Sequence, residues 1–374
     1  MNDQHHYNTS ILRIILKSVS LFLLFNILFI VLSDIPYGKI SFYNSLFMGR
    51  ERLPFGENPE KSYNITMNNL DAMVSSHKIS KNENGLEQFN IVVIGDSSVW
   101  GFLQAPTNTL AGLLDTNIDF LCQLKPIEVY NLGYPSLSIL KDIMIIEKIS
   151  EFNPDLILWL VTLESLTLKD QTDTPLVKNN PKEINHIIKK FDLNIPLLEI
   201  NPLDFSIISQ RRNLSDILRL QLYGLMWSGT GIDQEYPENY NPAQRDFKED
   251  FSFKDFNYPD LEIEDLAIEM IKKTVSKLSD VSFVIINEPI LISNGENSHI
   301  RYNHYYPRWA YDIYREILNN EMVKSGIKYD DYWDVVPETE FTNSAIHLTT
   351  AGEKILVDNI KDLIENYCLS QENQ

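Results

Sequence analysis

Hydrophobic residues fall into short runs along most of the chain, and these runs predict the strands of a buried sheet. Continuous apolar segments occur at 89–94 (FNIVVI), 156–161 (LILWLV) and 281–286 (VSFVII). Runs of this length, rich in β-branched residues, are typical of strands that are buried on both faces of a parallel sheet. Two further strands are predicted at 127–130 and 328–333.

Segments with helical periodicity separate these strands. Apolar residues recur at three- and four-residue intervals in segments 109–118, 136–150, 266–278, 309–323 and 350–367. The last segment opens with Thr350 and Glu353 at the spacing of a capping box. The alternation predicts an α/β fold with a central parallel sheet and helices on both faces. Ligands bind such sheets beyond the carboxyl ends of the strands, so the residues that follow each strand are the first functional candidates.

The alternation stops in the middle of the chain, over residues 165–261. This stretch contains one clear helical pattern, at 214–227, and a tract rich in Asp, Tyr, Phe and Pro at 233–259. We interpret it as an insertion that covers the site of an α/β domain spanning residues 89–367.

The longest apolar segment lies near the N-terminus, at residues 11–33. It is long enough to cross a bilayer if the side chains of Arg13 and Lys17 reach the interface. A buried core helix is the first alternative, but no polar face exists beyond Lys17. A cleaved signal peptide is the second, but the chain has no alanine before Ala72 to supply a typical cleavage site. We therefore predict a retained transmembrane anchor.

The predicted anchor divides the N-terminal region into three parts. Residues 1–10 form a short tail, residues 11–33 the anchor, and residues 34–88 an irregular stem rich in Pro, Gly and Asn. Positive charges flank the apolar segment almost equally on both sides, so they do not fix its orientation. A short tail before a large acidic body favours an extracytoplasmic domain.

Composition narrows the classes of protein that remain. The chain of 374 residues has 52 Asp and Glu against 32 Lys and Arg, a formal charge of −20. Such an acidic chain does not neutralise phosphates, which disfavours a nucleic-acid partner. Cys122 and Cys368 can form one disulfide at most, so a disulfide-built miniprotein is excluded, and the sequence leaves open whether they pair.

Polar residues follow the first two predicted strands. After the first comes Gly95-Asp96-Ser97-Ser98, where a serine at a strand-to-helix turn presents its hydroxyl at the carboxyl edge and free N–H groups can bind an oxyanion. After the second strand, Gly133 allows its N–H to approach a substrate oxygen. Each has a structural alternative, because Asp and Ser are ordinary helix N-caps and glycine serves tight turns.

One histidine lies at the same edge of the predicted sheet. His347 stands between the fifth strand region and the last helix, the only one of the seven histidines at such a junction. A neutral imidazole there can accept a proton from a serine hydroxyl. An ordinary surface or core role is the alternative. Asn287 and Glu288 follow the fourth strand, where they either bind substrate or form a strand-ending turn.

The order of these residues resembles the GDSL/SGNH hydrolase superfamily, over roughly 89–364 with the insertion left out. The resemblance implies a three-layer, flavodoxin-like SGNH hydrolase fold. It also implies that Ser97 is the nucleophile, Gly133 an oxyanion donor and His347 the general base. Family members are mostly esterases, lipases and carbohydrate O-acyl hydrolases, and some relatives are acyltransferases. An acylated small molecule, glycan or lipid is therefore the expected substrate.

Two departures from the family pattern concern the oxyanion hole and the triad. The third family block, Gly-x-Asn-Asp, corresponds here to 161–164 (VTLE), where Leu163 cannot donate a hydrogen bond. Thr162 or Asn287 is the expected replacement donor.

The second departure lies before His347, where the family has Asp three residues earlier. This chain has Ser344 there, with Asn343 one residue further back. We expect a Ser–His dyad, or a triad in which Asn343 orients the imidazole. The charge can alternatively come from acidic residues elsewhere, namely Glu164, Glu288 or Asp334.

The sequence thus predicts a membrane-anchored serine ester hydrolase. Transfer of the acyl group to a cell-envelope glycan is one alternative, and a binding or assembly protein that lost most of its chemistry is another. No metal-binding spacing and no phosphate- or dinucleotide-binding glycine pattern is present, so no metal centre and no cofactor are expected.

Overall fold

A six-stranded sheet forms the centre of the computed structural model, which describes residues 10–47, 49–56, 63–81 and 88–372. The strands are β1 (Phe89–Ile94), β2 (Leu121–Cys122), β3 (Lys125–Asn131), β4 (Leu156–Val161), β5 (Ser282–Asn287) and β6 (Lys328–Asp331). Their order is β2-β3-β1-β4-β5-β6. All neighbours are parallel except β2 and β3. Without the short strand β2, this is the strand order of the flavodoxin-like fold, which confirms the predicted α/β class.

Helices surround the sheet. In the described part of the chain they are α1 (Ile11–Val31), α2 (Phe42–Leu46), α3 (Leu70–Ser75), α4 (Ser97–Trp100), α5 (Leu110–Asn117), α6 (Ile139–Ile149), α7 (Leu163–Leu166), α8 (Pro175–Lys178), α9 (Pro181–Lys190), α10 (Ile207–Thr230), α11 (Ile268–Lys277), α12 (Arg308–Ser325) and α13 (Thr350–Glu372). The five helices predicted between the strands are all present, as α5, α6, α11, α12 and α13.

Burial on both faces explains the continuous apolar runs of the central strands. In β1, Val92 and Ile94 pack in one core cluster with α6, α11 and α12, whereas Ile91 and Val93 pack in a second cluster with α5 and α13. Every residue of β1 and β4 is buried. Strand β2 was not predicted, because two residues carry no periodic signal.

The cap of the last helix differs from the prediction. The Gly352 N–H donates to the Thr349 hydroxyl at 3.1 Å, so Thr349 is the capping residue. The Thr350 hydroxyl instead donates to Gln104 Oε1 at 2.9 Å. The capping box predicted from Thr350 is therefore wrong by one position, and the Glu353 side chain is buried.

The regions outside the alternation contain more regular structure than predicted. Between β4 and α11 the chain forms four helices, and α10 extends over 24 residues, well beyond the predicted 214–227. The described part of the stem contains α2 and α3, and it contributes Leu53, Met67 and Met73 to the main core cluster. The stem is thus part of the folded body.

A buried ion-pair cluster joins the stem, the insertion and α4. Arg52 donates from Nε and Nη2 to the two carboxylate oxygens of Asp233, at 2.5 and 2.6 Å. Its Nη1 donates to the carbonyls of Trp100 and Gly101 at 3.2 and 2.9 Å. Arg50 reaches Asp233 at 3.4 Å. Burial would raise the pKa of Asp233, but the two guanidinium groups outweigh it and hold that pKa below its usual range.

Helix α1 stands apart from the core. It is the one helix of the described residues that is long and apolar enough to cross a membrane, with 21 residues and a mean hydropathy of 2.5. A signal sequence near the N-terminus has the same character. No residue of α1 belongs to either core cluster of the body.

A disulfide fastens the edge of the sheet. Cys122 of β2 pairs with Cys368 of α13, across 246 residues of sequence. The sequence left this pairing open, because neither spacing nor composition determines it. The bond ties the last helix to the hairpin formed by β2 and β3.

Loss of Asp233 should strongly destabilise the fold. In Asp233→Ala, two guanidinium groups remain buried without their counter-charge, and we expect the free energy of unfolding to fall by about 3–5 kcal/mol. Urea unfolding of the detergent-purified protein measures this. The control is Asp255→Ala, which removes an exposed ion pair with Lys169 and should change stability little. Equal effects of the two substitutions would contradict a special role for the buried cluster.

Candidate active site

A tight turn at the end of β1 presents Ser97 at the carboxyl edge of the sheet. Asp96 caps α4, because its Oδ1 accepts a hydrogen bond from the Ser98 N–H at 2.7 Å. Ser97 is therefore the first helical residue. The turn is too crowded for a side chain at Gly95, where a Cβ would lie 2.5 Å from Val99 Cγ2.

His347 and Asn343 complete a hydrogen-bonded row with this serine. His347 Nε2 lies 2.8 Å from Ser97 Oγ, and His347 Nδ1 lies 2.9 Å from Asn343 Oδ1. An amide oxygen only accepts, so Nδ1 carries the proton and Nε2 accepts from the serine hydroxyl. All three are candidates named from the sequence, and their contacts have the geometry that a serine nucleophile, a base and an orienting group require.

The loop that carries His347 is fixed by its own backbone. The Thr342 N–H donates to the His347 carbonyl at 2.8 Å, and Phe341 and Leu348 form a β-bridge. The Phe102 ring lies 5.0 Å from the imidazole, measured between centroids. Burial lowers the pKa of His347 to about 4. The imidazole is therefore neutral near pH 7, as a general base must be.

A layer of buried charged groups lies directly beneath the turn. The Lys141 ammonium donates to the carbonyls of Gly95 and Tyr134 at 2.8 and 3.0 Å, and it pairs with Asp142 at 2.5 Å. These bonds hold the end of β1 and the loop after β3 in one position.

Glu288 belongs to the same layer and does not approach His347. Its carboxyl accepts a hydrogen bond from the Ser98 hydroxyl. Burial, and next the adjacent Asp96, raise the pKa of Glu288 well above its usual range. A carboxyl that stays protonated cannot supply the negative charge that an imidazolium requires. Glu288 supports the nucleophile turn through Ser98.

Glu164 and Asn287 make their polar contacts with other residues. Glu164 forms an ion pair with Lys254 of the insertion at 2.9 Å. Asn287 Nδ2 donates to Asp331 at 2.8 Å, and its Oδ1 accepts from the Tyr314 hydroxyl at 3.0 Å. Asn287 therefore links β5, β6 and α12.

The two predicted oxyanion donors have other acceptors in this structure. The Gly133 N–H donates to Asn131 Oδ1 at 3.1 Å. The Thr162 N–H donates to the Ser165 hydroxyl at 3.2 Å, and the Thr162 hydroxyl lies 3.0 Å from that of Tyr306. Glycine is required at position 133 by close packing, because a Cβ there would lie 2.5 Å from the backbone nitrogen of Trp100.

Ser136 is a candidate that the sequence reasoning missed. It has a φ of +127°, a conformation that favours glycine. Its buried hydroxyl has no hydrogen-bond partner among the described residues. The register pairs Val93 with Asn131, which places the loop after β3 beside the nucleophile turn. The Tyr134 N–H accordingly donates to the Gly95 carbonyl at 3.0 Å. A serine in sequence gives no sign of a strained φ, so no signal pointed to it.

Comparisons with known proteins give distant structural similarities. No family model and no curated protein matches the chain. It is similar to an alpha/beta hydrolase enzyme from the metagenome of Lake Arreo, Spain, with 11% identity, a TM-score of 0.36, and coverage of 75% of this chain and 95% of that one. A lipolytic protein of the G-D-S-L family from Veillonella parvula has 10% identity, a TM-score of 0.33, and coverage of 74% and 96%. A variant of an acetyl xylan esterase from Geobacillus stearothermophilus has 11% identity, a TM-score of 0.35, and coverage of 72% and 90%.

These similarities are distant, with identities of 10–11%. Their TM-scores lie below 0.5, so the similarity assigns no role to any residue of this chain. Candidate roles rest on the strand order and on the contacts of Ser97, His347 and Asn343 described above.

The neutral orienting group predicts a particular pH profile. Labelling of Ser97 by a fluorophosphonate needs neutral His347, so its rate should fall as the pH drops through about 4. In Asn343→Asp the new carboxylate stabilises imidazolium, and we expect this acid limb to move to higher pH. Labelling rates between pH 3 and pH 8 measure the shift. The control, Asn319→Asp on the exposed face of α12, should leave the limb in place. An unmoved limb in Asn343→Asp would show that residue 343 does not act on His347.

Proposed function

We propose that this protein is a membrane-anchored serine hydrolase that cleaves O-acyl esters of a carbohydrate or a lipid. The observation that carries the proposal is the row of contacts from Ser97 Oγ to His347 Nε2 at 2.8 Å, and from His347 Nδ1 to Asn343 Oδ1 at 2.9 Å. Hydrogen-bond distances between nucleophile, base and orienting group are what nucleophilic catalysis by serine requires.

The proposed reaction has two steps. Ser97 Oγ attacks the ester carbonyl carbon while its proton passes to His347 Nε2. The resulting imidazolium returns that proton to the departing alkoxide as the C–O bond breaks, which leaves an acyl-serine. Water then attacks the acyl carbon while His347 Nε2 accepts its proton. The bond between the acyl carbon and Ser97 Oγ breaks, the imidazolium returns the proton to Oγ, and the carboxylic acid is released.

Asn343 holds the imidazole in the tautomer that this reaction needs. Its amide oxygen accepts from Nδ1–H and leaves Nε2 free to receive the serine proton. A neutral amide does not stabilise imidazolium by charge, so the row resembles the Cys–His–Asn arrangement of papain-like enzymes more than a charged triad.

The proposed oxyanion hole consists of the N–H groups of Ser97 and Ser136. Ser97 is the first residue of α4, so its N–H has no acceptor within the helix. The strained backbone of Ser136 lies in the loop beside the nucleophile turn, and strain of this kind is concentrated at functional sites. Gly133 and Thr162 were expected in this role, but their N–H groups have the other acceptors described above.

The catalytic domain is proposed to lie outside the cytoplasm. Helix α1 precedes the body and has the length and hydropathy of a membrane span. The pairing of Cys122 with Cys368 supports this orientation, since disulfides persist mainly in oxidising compartments. Esters on envelope glycans or on lipids are therefore the accessible substrates.

An activity-based probe tests the proposed nucleophile. The detergent-solubilised full chain should react covalently with a fluorophosphonate, and Ser97→Ala should abolish the labelling because the attacking oxygen is gone. In-gel fluorescence measures both. Ser276→Ala, an exposed serine on α11, is the control and should label like the wild type. A folded wild-type protein that does not label would reject the hydrolase and favour a binding protein on the same fold.

Substitution of Ser136 by glycine distinguishes the role of its backbone N–H from that of its hydroxyl. Ser136→Gly relieves the strain of the positive φ, and we expect a gain in stability of about 1 kcal/mol. The N–H remains, so the rate of fluorophosphonate labelling should stay within a few-fold of the wild type. Thermal unfolding and labelling rates measure the two effects. Ser276→Gly makes the same change in a helix and should reduce stability. A loss of about 100-fold in labelling by Ser136→Gly would assign the oxyanion contact to the hydroxyl instead.

A further inference from the structure

Helix α1 touches the body along a short stripe near its C-terminal end. The residues of α1 and the following turn that are not exposed are Asn26, Phe29, Ile30 and Ser33. The deepest of these contacts joins Asn26 Oδ1 to the Ile208 N–H at 3.4 Å. Asn26 lies five residues before the end of α1, so at 1.5 Å per residue Ile208 sits about 7–8 Å inside that end.

The segment around Ile208 exposes apolar side chains that nothing in the described structure covers. We call residues 197–212 the insertion tip. Its exposed apolar residues are Leu197, Ile200, Leu203 and Ile208, of which Leu203 is 65% exposed. Arg211 and Arg212 follow in the first turns of α10, and both are exposed. Apolar side chains next to arginines are typical of segments that lie in a membrane interface.

Lys182 of α9 contacts both the end of α1 and the insertion tip. The Lys182 ammonium donates to the Ser33 hydroxyl at 2.8 Å and to Asp34 at 2.6 Å. The same ammonium lies 4.3 Å from the centroid of the Phe205 ring. The level of the tip relative to α1 is therefore set by the fold.

We propose that the insertion tip enters the same leaflet that surrounds the C-terminal end of α1. The proposal rests on the membrane anchoring assigned to α1 under the proposed function, and it does not depend on the hydrolase chemistry. A depth of about 7–8 Å for Ile208 matches the 5–10 Å to which interfacial segments bury their apolar face. We assign the lipid leaflet as the partner that covers the apolar side chains of the tip. The tip contacts α1 at Asn26, so the lipid that surrounds α1 continues directly onto the tip.

Membrane entry of the tip gives the body a second attachment point. A single helix leaves a tethered domain free to rotate about its linker, whereas two adjacent contacts fix its tilt. The body would then present the Ser97 site to the membrane surface in one orientation.

Depth-dependent fluorescence quenching in the full chain tests this proposal. Both native cysteines are paired in the disulfide, so a single introduced cysteine is the one free thiol. Leu203→Cys and Ile208→Cys are each labelled with an environment-sensitive fluorophore and reconstituted in vesicles of phosphatidylcholine and phosphatidylglycerol with nitroxide on carbon 5 of the acyl chain. Leu32→Cys, at the end of α1, reports the anchor. Val323→Cys, which is 72% exposed on α12, reports an apolar position away from the tip.

We expect quenching at Leu203→Cys and Ile208→Cys to be at least twofold greater than at Val323→Cys and comparable to that at Leu32→Cys. Quenching at Leu32→Cys alone would overturn the proposal that the tip enters the membrane and would support the anchoring by α1. The same result is expected if another protein covers the tip. Absence of quenching at Leu32→Cys would overturn the proposal that α1 spans the membrane, and with it the proposal that the tip enters the leaflet. Circular dichroism confirms folding of each variant, and Leu197→Cys replaces a tip variant that does not fold.

Discussion

The position of Ser97, the proposed nucleophile, depends on the buried ion pair between Arg52 and Asp233. Helix α4 has only four residues, too few to be stable by itself. Its last carbonyls, of Trp100 and Gly101, are held by Arg52, and the guanidinium of Arg52 is fixed by both oxygens of Asp233. A stem residue and an insertion residue, 181 positions apart, thus determine where the helix that begins with Ser97 can lie. The insertion is therefore part of the scaffold of the site.

Buried polar groups complete that scaffold from below. The Lys141 ammonium binds the Gly95 and Tyr134 carbonyls, and the Glu288 carboxyl accepts from Ser98. With a pKa raised well above its usual range by burial, Glu288 adds a hydrogen-bond acceptor without adding a second negative charge beside Asp96. The residues that position the turn from beneath are consequently different from those proposed to transfer the proton. The proton-transfer side contains His347 and a neutral amide, so no ionised group is required to contact the imidazole in the resting state.

The sequence predicted the sheet, and it placed Ser97 and His347 at one edge of it, for physical reasons. Strands buried on both faces produce unbroken apolar runs such as 156–161, and parallel strands bring the residues after them to one edge, which brought Ser97 and His347 together. It could not choose between Asn343, Ser344 and the distant carboxyls, because that choice depends on the conformation of one loop. Nor could it foresee that Asn131 takes the Gly133 N–H, or that Ser136 adopts a φ of +127°. The first is a local hydrogen bond between residues two positions apart and the second a single backbone angle, and neither leaves a periodic pattern in the sequence.

Helix α10 links the proposed membrane contact to the site, and its length sets a limit on their separation. Its first turn meets α1 at Asn26, and it ends at Thr230, three residues before Asp233. Its 24 residues span about 36 Å at 1.5 Å per residue. The Arg52–Asp233 pair therefore lies at most one helix length, plus a few residues, from the level of Ile208. With the tip in the leaflet as proposed, an ester on an envelope glycan or on a lipid therefore has no more than about this distance to cover between the membrane and the ion pair that holds α4.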